Sequence, residues 1–445
     1  MATKILWFRR DLRLADHPAL LAAGEGRADV LPVFILDPRL LSSNPGVVPR
    51  RVERLYKSLA ALNESLDGAL VVRTGLPEEV LPTLVSELAA EEVHVSAETT
   101  PFGVRRDARV AAELDVPLIA TGSPYAVTPG RALKDDGTPY RVFTPFSKAW
   151  RAHGWRAPAE SPGAVNWLRG PTSEPIPARP AHGEAAALER WHEFRDNDLA
   201  RYDDERDRPD LNTTSRLSAA LKYGEIHPRT LLADLADRSQ SRFTAELCWR
   251  EFYADVLHHN HRSAWHDLNP SLAGMRYEEP GEELEAWKAG ETGYPLVDAG
   301  MRQLLTEGWM HNRVRMVAAS FLVKHLHVWW PHGARHFLQH LEDGDIASNS
   351  HGWQWVAGTG TDAAPYFRIF NPVTQGLKFD PHGEYVRRFV PELRHLDGAA
   401  AHEPWRHDGG YAHHYARRIV DHAEARQEAL ARYGEAREPA TMPSQ

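Results

Sequence analysis

The sequence predicts an α/β N-terminal domain with a parallel sheet, a long linker and a predominantly α-helical C-terminal domain. Three observations lead there. Short, continuous apolar runs alternate with helical patterns over roughly the first 130 residues, the signature of a sheet covered on both faces. Residues 156–182 are crowded with Pro, Gly, Ser and Ala, too often punctuated for regular structure. From about residue 184 onward helical periodicity dominates and strand signals are scarce. The expected bounds are 1–130 for the α/β domain, 131–200 for the linker and 201–445 for the helical domain.

The elements follow in order. Residues 4–8 read as a strand and 18–23 as a helix. Residues 30–36 form a second apolar run, stopped by Asp37-Pro38. Val52, Leu55, Leu59 and Leu62 recur at helical spacing within 50–65. Strands are predicted at 69–73, 92–96 and 116–120, and helices at 78–90 and 105–114. In the second half, helices are predicted at 188–199, 216–223, 243–259, 297–307, 314–327 and 333–341.

Composition narrows the classes. The 445 residues are 42% hydrophobic and 25% charged, as in an ordinary globular protein with ample core. A formal net charge of −9 excludes a globally basic nucleic-acid binder but leaves room for a local basic groove. A single cysteine, Cys248, excludes a disulfide framework and multi-cysteine metal sites. The apolar run at 5–8 ends at Arg9-Arg10, too short for a signal peptide, and no run is long enough to span a bilayer. The expectation is a soluble, cytoplasmic chain without a membrane partner.

Familiar motifs for ordinary chemistry do not appear. GxGxxG after the first strand, a phosphate-binding loop, HExxH and a serine nucleophile elbow are absent. His332, His336 and His340 share helical spacing but read as a half-solvated polar face, and no metal is expected. What stands out is aromatic residues among polar and basic ones: Trp249-Arg250-Glu251-Phe252-Tyr253, Trp309-Met310-His311-Asn312-Arg313 and Trp353-Gln354-Trp355. A Trp taken singly is usually a packing group. Several beside Arg, Asn and Met suit stacking on flat rings, either a cofactor or nucleobases.

These segments, with Trp7-Phe8-Arg9-Arg10-Asp11-Leu12-Arg13-Leu14, Thr214-Ser215-Arg216-Leu217-Ser218, Glu246-Leu247-Cys248-Trp249, Asp343-Gly344-Asp345 and Tyr366-Phe367-Arg368-Ile369-Phe370-Asn371-Pro372, give the chain its resemblance. It resembles the DNA photolyase/cryptochrome family over nearly its whole length, and more narrowly the class I cyclobutane pyrimidine dimer photolyases. The resemblance implies an antenna domain, a linker and a helical FAD domain. It implies light-dependent repair of pyrimidine dimers in UV-damaged DNA by electron transfer from excited FADH⁻, with return of the electron. A monomer is expected. The alternatives are a cryptochrome-type photoreceptor and a (6-4) photolyase.

The same resemblance assigns residues. Tyr202, Thr214, Ser215, Arg216, Leu217 and Ser218 would lie around the cofactor phosphates, with Arg250 also cofactor-binding. Arg315, Asp343 and Asp345 would flank the flavin, and Asn349 would face its N5. Glu246, Trp249, Asn312, Arg313, Met316 and Trp355 would form the substrate pocket. Trp249 and Trp355 would be flat walls, Glu246 a hydrogen-bond donor to the dimer when protonated, and Arg313 and Arg206 phosphate holders. Glu246 and Asn349 are the expected catalytic pair. Trp353, Trp330 and Tyr277 would pass an electron inward, Tyr277 standing where the family often has an outer Trp. Ser350 and His351 depart from the commoner Asn-Gly of a pocket loop, which bears on flavin tuning or loop shape. In the antenna domain Arg105-Arg106 replaces the folate-type Asn-Glu pair. Arg51, Glu98 and Phe102 look more like a deazaflavin-type pocket, with FMN or no antenna as the other options.

Overall fold

The computed structural model describes residues 2–41, 49–235, 241–361 and 368–437, so Tyr366 and Phe367 of the last motif lie outside the described residues. Packing divides the chain into two compact units. One holds Met1–Tyr202 and Ser215–His261, the other Asp203–Thr214 and Arg262–Gln445.

The first unit is built on β1 (Thr3–Phe8), β2 (Asp29–Leu36), β3 (Val71–Thr74), β4 (Glu92–Val95), β5 (Leu118–Ala120) and β6 (Asn166–Trp167). Strand order is β3-β2-β1-β4-β5, and every pairing is parallel. Alternation sorts the strand side chains. Leu6 and Phe8 pack with Val30, Phe34 and Val72 on one face, while Ile5 and Trp7 pack with Leu31, Val33 and Val93 on the other. Helices α1 (Pro18–Gly24), α2 (Pro38–Leu41), α3 (Pro49–Ser65), α4 (Pro77–Leu88) and α5 (Pro101–Glu113) connect the strands. Leu59 and Leu62 of α3 cover the first face, and Leu81, Leu84 and Val110 of α4 and α5 cover the second. Apart from the short α2 and β6, these elements match the sequence-level expectation to within a few residues.

Not every element was expected, and two of the unexpected ones lie in the linker. The linker carries β6, whose Asn166 and Trp167 extend the sheet beside Asp29 and Val30 of β2, next to the stretch of β2 that β3 pairs. A two-residue strand has no periodicity to read. Helix α6 (Phe143–His153) precedes it and buries Phe146 and Trp150. Its companions are α7 (Glu184–Asn197), α8 (Tyr202–Glu205), α9 (Ser218–Tyr223), α10 (Pro228–Asp234) and α11 (Arg242–His259). The buried Glu251 carboxylate of α11 ties this layer together. It accepts from the amides of Ala126 (2.5 Å) and Val127 (3.0 Å) and from Nε1 of Trp150 (2.6 Å).

The second unit is helical: α12 (Glu282–Ala289), α13 (Pro295–Glu307), α14 (Asn312–Lys324), α15 (Trp330–His340), α16 (Ile346–Ala357), α17 (Pro372–Phe379), α18 (Glu384–Phe389) and α19 (His422–Arg437). One core runs through it, including Trp287, Tyr294, Met301, Phe321, Trp330, Phe337 and Trp353. Helix α14 ends at Lys324, three residues short of the predicted end, and His327 has a left-handed φ of 54° that a helix cannot continue through. Residues 347–353, expected as a loop, are part of α16, which Asp345 caps by accepting from the Ser348 amide at 3.0 Å.

Candidate functional site

In the helical unit, α14 opens directly after the capping residue His311, whose Nδ1 accepts from the Arg313 amide at 3.2 Å. Its first turn is two-faced. Arg315 turns inward, donating to the Met310 carbonyl (2.7 Å) and to Asp343 Oδ2 (2.8 Å). Asn312 is exposed, and its amide nitrogen lies 3.9 Å from the sulfur of Met316, one turn on. Arg313 reaches Asp207 at 2.7 Å and lies over the ring of Phe379, 4.5 Å from its centre. Arg206 stands 3.9 Å from the same Asp207. The two arginines expected to hold phosphates are therefore gathered around one carboxylate.

Asp343 is buried, and its second oxygen, Oδ1, has no hydrogen-bond partner in the protein. The Thr213 hydroxyl, beside Thr214, is also buried and unpartnered. Unpaired buried polar atoms are costly, so an acceptor and a hydroxyl of this kind suit a polar ligand that completes them. Asn349 gives one of its two amide N–H groups to the Ala334 carbonyl of α15 at 3.0 Å, which leaves its other donor and its oxygen. Ser350 and His351 turn away from any such ligand. Ser350 donates to the Ala264 carbonyl at 2.7 Å. The buried His351 bridges the Ala347 carbonyl (2.8 Å) and the Ser263 hydroxyl (3.0 Å), and burial pulls its pKa down to about 4. Their departure from the family pattern serves helix packing.

Trp353 sits in the core, edge-on to Phe337 at 4.9 Å and to Trp287 at 6.0 Å, with its indole N–H unpartnered. Trp330 is fully buried and donates its indole N–H to Asp267 Oδ1 at 2.6 Å. Tyr277 is partly buried, and burial together with the Asp267 charge pushes its phenol above its ordinary pKa. Trp355 packs partly buried against the same core. In the histidine row of α15, His332 and His340 are half-buried as expected, but His336 is buried, 4.6 Å from the His340 ring, and burial pulls its pKa down to about 3. No metal-holding group of His, Cys, Asp or Glu occurs among the described residues.

In the first unit, Glu246, Trp249 and Arg250 lie at i, i+3 and i+4 on α11. Trp249 stacks on Phe143 at 3.7 Å and 5°, so one of its two faces is already covered. Arg250 donates to the carbonyls of Pro124 (3.0 Å) and Leu221 (3.2 Å) and lies over Tyr125. Tyr202 meets Phe194 and Phe243 edge-on. The 215–218 segment is a turn and not the start of a helix at 216. Arg216 has a left-handed φ of 55°, Ser215 accepts from the Leu217 amide at 3.4 Å, and α9 begins only at Ser218. A non-glycine residue held there costs about 1–3 kcal/mol, a strain that clusters at ligand sites.

At the carboxyl ends of β1 and β4 the strand order reverses, the position at which open α/β sheets bind ligands, and it is lined by charge. Arg9 pairs with Asp107 at 2.5 Å, and Arg10 lies 3.8 Å from Glu98. Arg9 and Arg106 lie over the Trp7 ring, at 4.6 and 4.9 Å from its centre. Arg106 also approaches Phe102 at 5.9 Å. Glu98 accepts from the amides of Thr99 and Thr100, and a Cβ at Gly103 would collide with its side chain. Arg51 lies on α3, its carbonyl accepting from the Tyr223 hydroxyl at 3.3 Å.

Sequence reasoning missed Asp267, Thr213 and Phe143. Asp267 and Phe143 become meaningful only through a partner far along the chain, and Thr213 only through burial of its unpartnered hydroxyl, neither of which a local pattern announces.

A parallel α/β sheet with charge at its switch point, followed by a helical unit with a buried, unsatisfied acceptor at Asp343, is an architecture suited to binding flat organic cofactors. Residues 243–435 match the FAD binding domain of DNA photolyase, and residues 4–163 match DNA photolyase. A deoxyribodipyrimidine photo-lyase from Agrobacterium fabrum is 39% identical, covering 97% of this chain and 98% of the relative. The crystal structure of a class III photolyase from Agrobacterium tumefaciens superposes with a TM-score of 0.89 at 38% identity, covering 99% of this chain and 98% of that one. An archaeal photolyase from Sulfolobus tokodaii, solved with two FAD molecules, gives 0.84 at 31% identity, covering 97% and 100%. The chain belongs to the DNA photolyase family. Among the described residues no helix is long and apolar enough to cross a membrane.

Proposed function

We propose that this chain is a light-driven deoxyribodipyrimidine photo-lyase that binds UV-damaged DNA and splits cyclobutane pyrimidine dimers. The observation that carries the reading is the two-faced first turn of α14. It sends Arg315 inward to Asp343, whose free oxygen can accept from a flavin, and presents Asn312 and Met316 outward. Bound and reduced, FAD supplies one-electron chemistry on absorbing blue light.

The protein's own groups do the rest. Arg315, Asp343, Asp345 and Asn349 hold the isoalloxazine. Tyr202, Thr214, Ser215, Arg216, Leu217, Ser218 and Arg250 hold the remainder of the cofactor, where the strained Arg216 turn aims amides and hydroxyls at phosphate. Base flipping is the general device of enzymes acting on a base inside a duplex, photolyases among them. The dimer, poorly paired, leaves the stack, and Glu246, Trp249, Asn312, Met316 and Trp355 are the residues that would receive it. Glu246 and Asn312 meet its base edges. Arg313 and Arg206 exchange Asp207 for backbone phosphate. Trp353, Trp330 and Tyr277 form an inward electron path. A deazaflavin-class antenna binds by Glu98 and Phe102, with Arg51 at its edge. The protein acts as a cytoplasmic monomer in this reading.

The test is to incubate FAD-loaded, chemically reduced protein with a dimer-containing oligonucleotide and count restored thymines in blue light and in darkness. Restoration only in light supports the reading. Its absence with reduced flavin bound overturns it and sends the protein to (6-4) lesions and to light-sensing assays.

A further inference from the structure

Two buried tryptophans of the helical unit differ in one respect. The Trp353 indole N–H finds no partner, whereas that of Trp330 is held by a carboxylate at 2.6 Å. An indole that loses an electron becomes a cation. In a low-dielectric core a cation is strongly favoured beside an anion and disfavoured where nothing answers it. Burial first, and the charge of the same carboxylate second, push the Tyr277 phenol above its ordinary pKa, so Asp267 is also felt at Tyr277. Trp329 meets Trp330 edge-on at 6.3 Å and is itself only half-buried.

We propose that Asp267 is the positioning residue that makes Trp330 the place where positive charge settles when an electron is drawn inward through Trp353. The inference rests on the flavin reading above. One electron passes from Trp330 to oxidised Trp353. Trp330 is left as its cation radical, its N–H still held by Asp267, and Trp353 returns to its neutral form. A soluble thiol then gives one electron back to the buried Trp330 by way of the half-buried Trp329 and releases a proton to water, and two thiyl radicals combine as a disulfide. The net electron ends on the cofactor. Without Asp267, charge on Trp330 has no counter-ion, and the electron falls back before the thiol arrives.

The test uses the full chain with Asp267→Asn, which keeps an acceptor for the indole but removes the charge, and Asp267→Glu, which restores the charge. In the flavin-free protein, the Trp330 indole proton, assigned with Trp330→Phe, is read by NMR. It is expected far downfield in wild type and Asp267→Glu and shifted upfield in Asp267→Asn. In the FAD-loaded protein with oxidised flavin and thiol, transient absorption reads the tryptophan radical and its lifetime. Asp267→Asn is expected to shorten that lifetime and slow photoreduction by roughly tenfold or more, with Asp267→Glu recovering most of it. Photoreduction and radical lifetime at wild-type values in Asp267→Asn would overturn the proposal. So would an equal loss in both variants, which would mean that shape and not charge matters. Chemically reduced wild-type protein separates the two readings. If it fails to restore thymines in light, the repair reading falls, while the photoreduction comparison still decides the role of Asp267.

Discussion

Trp249 shows how a side chain can be half committed. One face lies on Phe143 at 3.7 Å, and in the proposed function the half-buried ring is also a wall for a nucleobase. Trp249→Ala removes both contacts. Loss of a stacked, half-buried ring predicts a fall in urea-measured stability of about 2 kcal/mol. Loss of a stacking wall predicts weaker binding of dimer-containing DNA by about 1–3 kcal/mol. Trp249→Phe should recover most of the stability and only part of the binding. Equal binding by Trp249→Ala and wild type would remove Trp249 from the substrate pocket. Glu246, three residues earlier on α11, separates the effects in the opposite sense. Glu246→Ala should lower the light-driven yield of restored thymines by tenfold or more, the scale of one charge-assisted hydrogen bond of about 1.5–3 kcal/mol. It should leave the urea midpoint nearly unchanged, because Glu246 is only half-buried. Asn349 carries both duties again, since it ties α16 to Ala334 of α15. Asn349→Asp would set a carboxylate against that carbonyl, so weaker flavin retention and a stability loss of about 1–3 kcal/mol are expected together, read by flavin release and urea titration.

At the scale of elements, α15 and α16 are held at close approach by what Gly333 lacks. A Cβ there would stand 2.2 Å from the Trp353 ring and 2.5 Å from Leu322, so a methyl group cannot enter without moving one or the other. Gly333→Ala would raise helix propensity, but overpacking of this kind costs about 1–3 kcal/mol. The sign is therefore destabilising, readable by thermal denaturation. Photoreduction should slow as Trp353 shifts, and a Gly333→Ala protein more stable than wild type would contradict the packing. The same helices show what a sequence can disclose. Strands β1 to β5, α1, α3 and most of the long helices were legible because apolar runs or apolar periodicity mark each. Helix α6 was not, because its Pro and polar residues obscure a stripe that only Phe146 and Trp150 anchor. The resemblance identified the residues of the α14 and α16 turns by motif. Their commitments, Asn349 to Ala334, Arg313 to Asp207 and Ser350 to Ala264, depend on chain that returns from far away. Periodicity records which face is buried and is silent about which partner waits there.

For the whole molecule, buried histidines set the response to acid. His227 and His351 are held neutral with pKa values near 4, and His325 and His336 near 3, in every case chiefly because burial disfavours the charged ring. Unfolded, each would titrate near its ordinary 6.5. Between those limits the unfolded chain binds more protons than the folded one, so stability is complete above about pH 6.5 and falls as pH drops toward 4. Each ring can contribute up to about 1.4 kcal/mol per pH unit in that window. Buried acids act in the opposite sense: Glu251, Asp255 and Asp298 have pKa values raised by burial, so the folded state takes up their protons more readily and recovers some stability as pH falls. With four rings against three partly compensated carboxyls, the histidines win from pH 7 to 5, and urea titrations should show a net loss of at least about 2 kcal/mol. His336→Phe isolates one share. It keeps a ring against Trp287, now 5.6 Å away, and removes the proton. Its acid slope should be shallower than wild type by a fraction of a proton, while its stability at pH 8 changes little. An unchanged slope would mean that His336 is protonated without unfolding and that the helical core admits a charge beside Trp287 and His340.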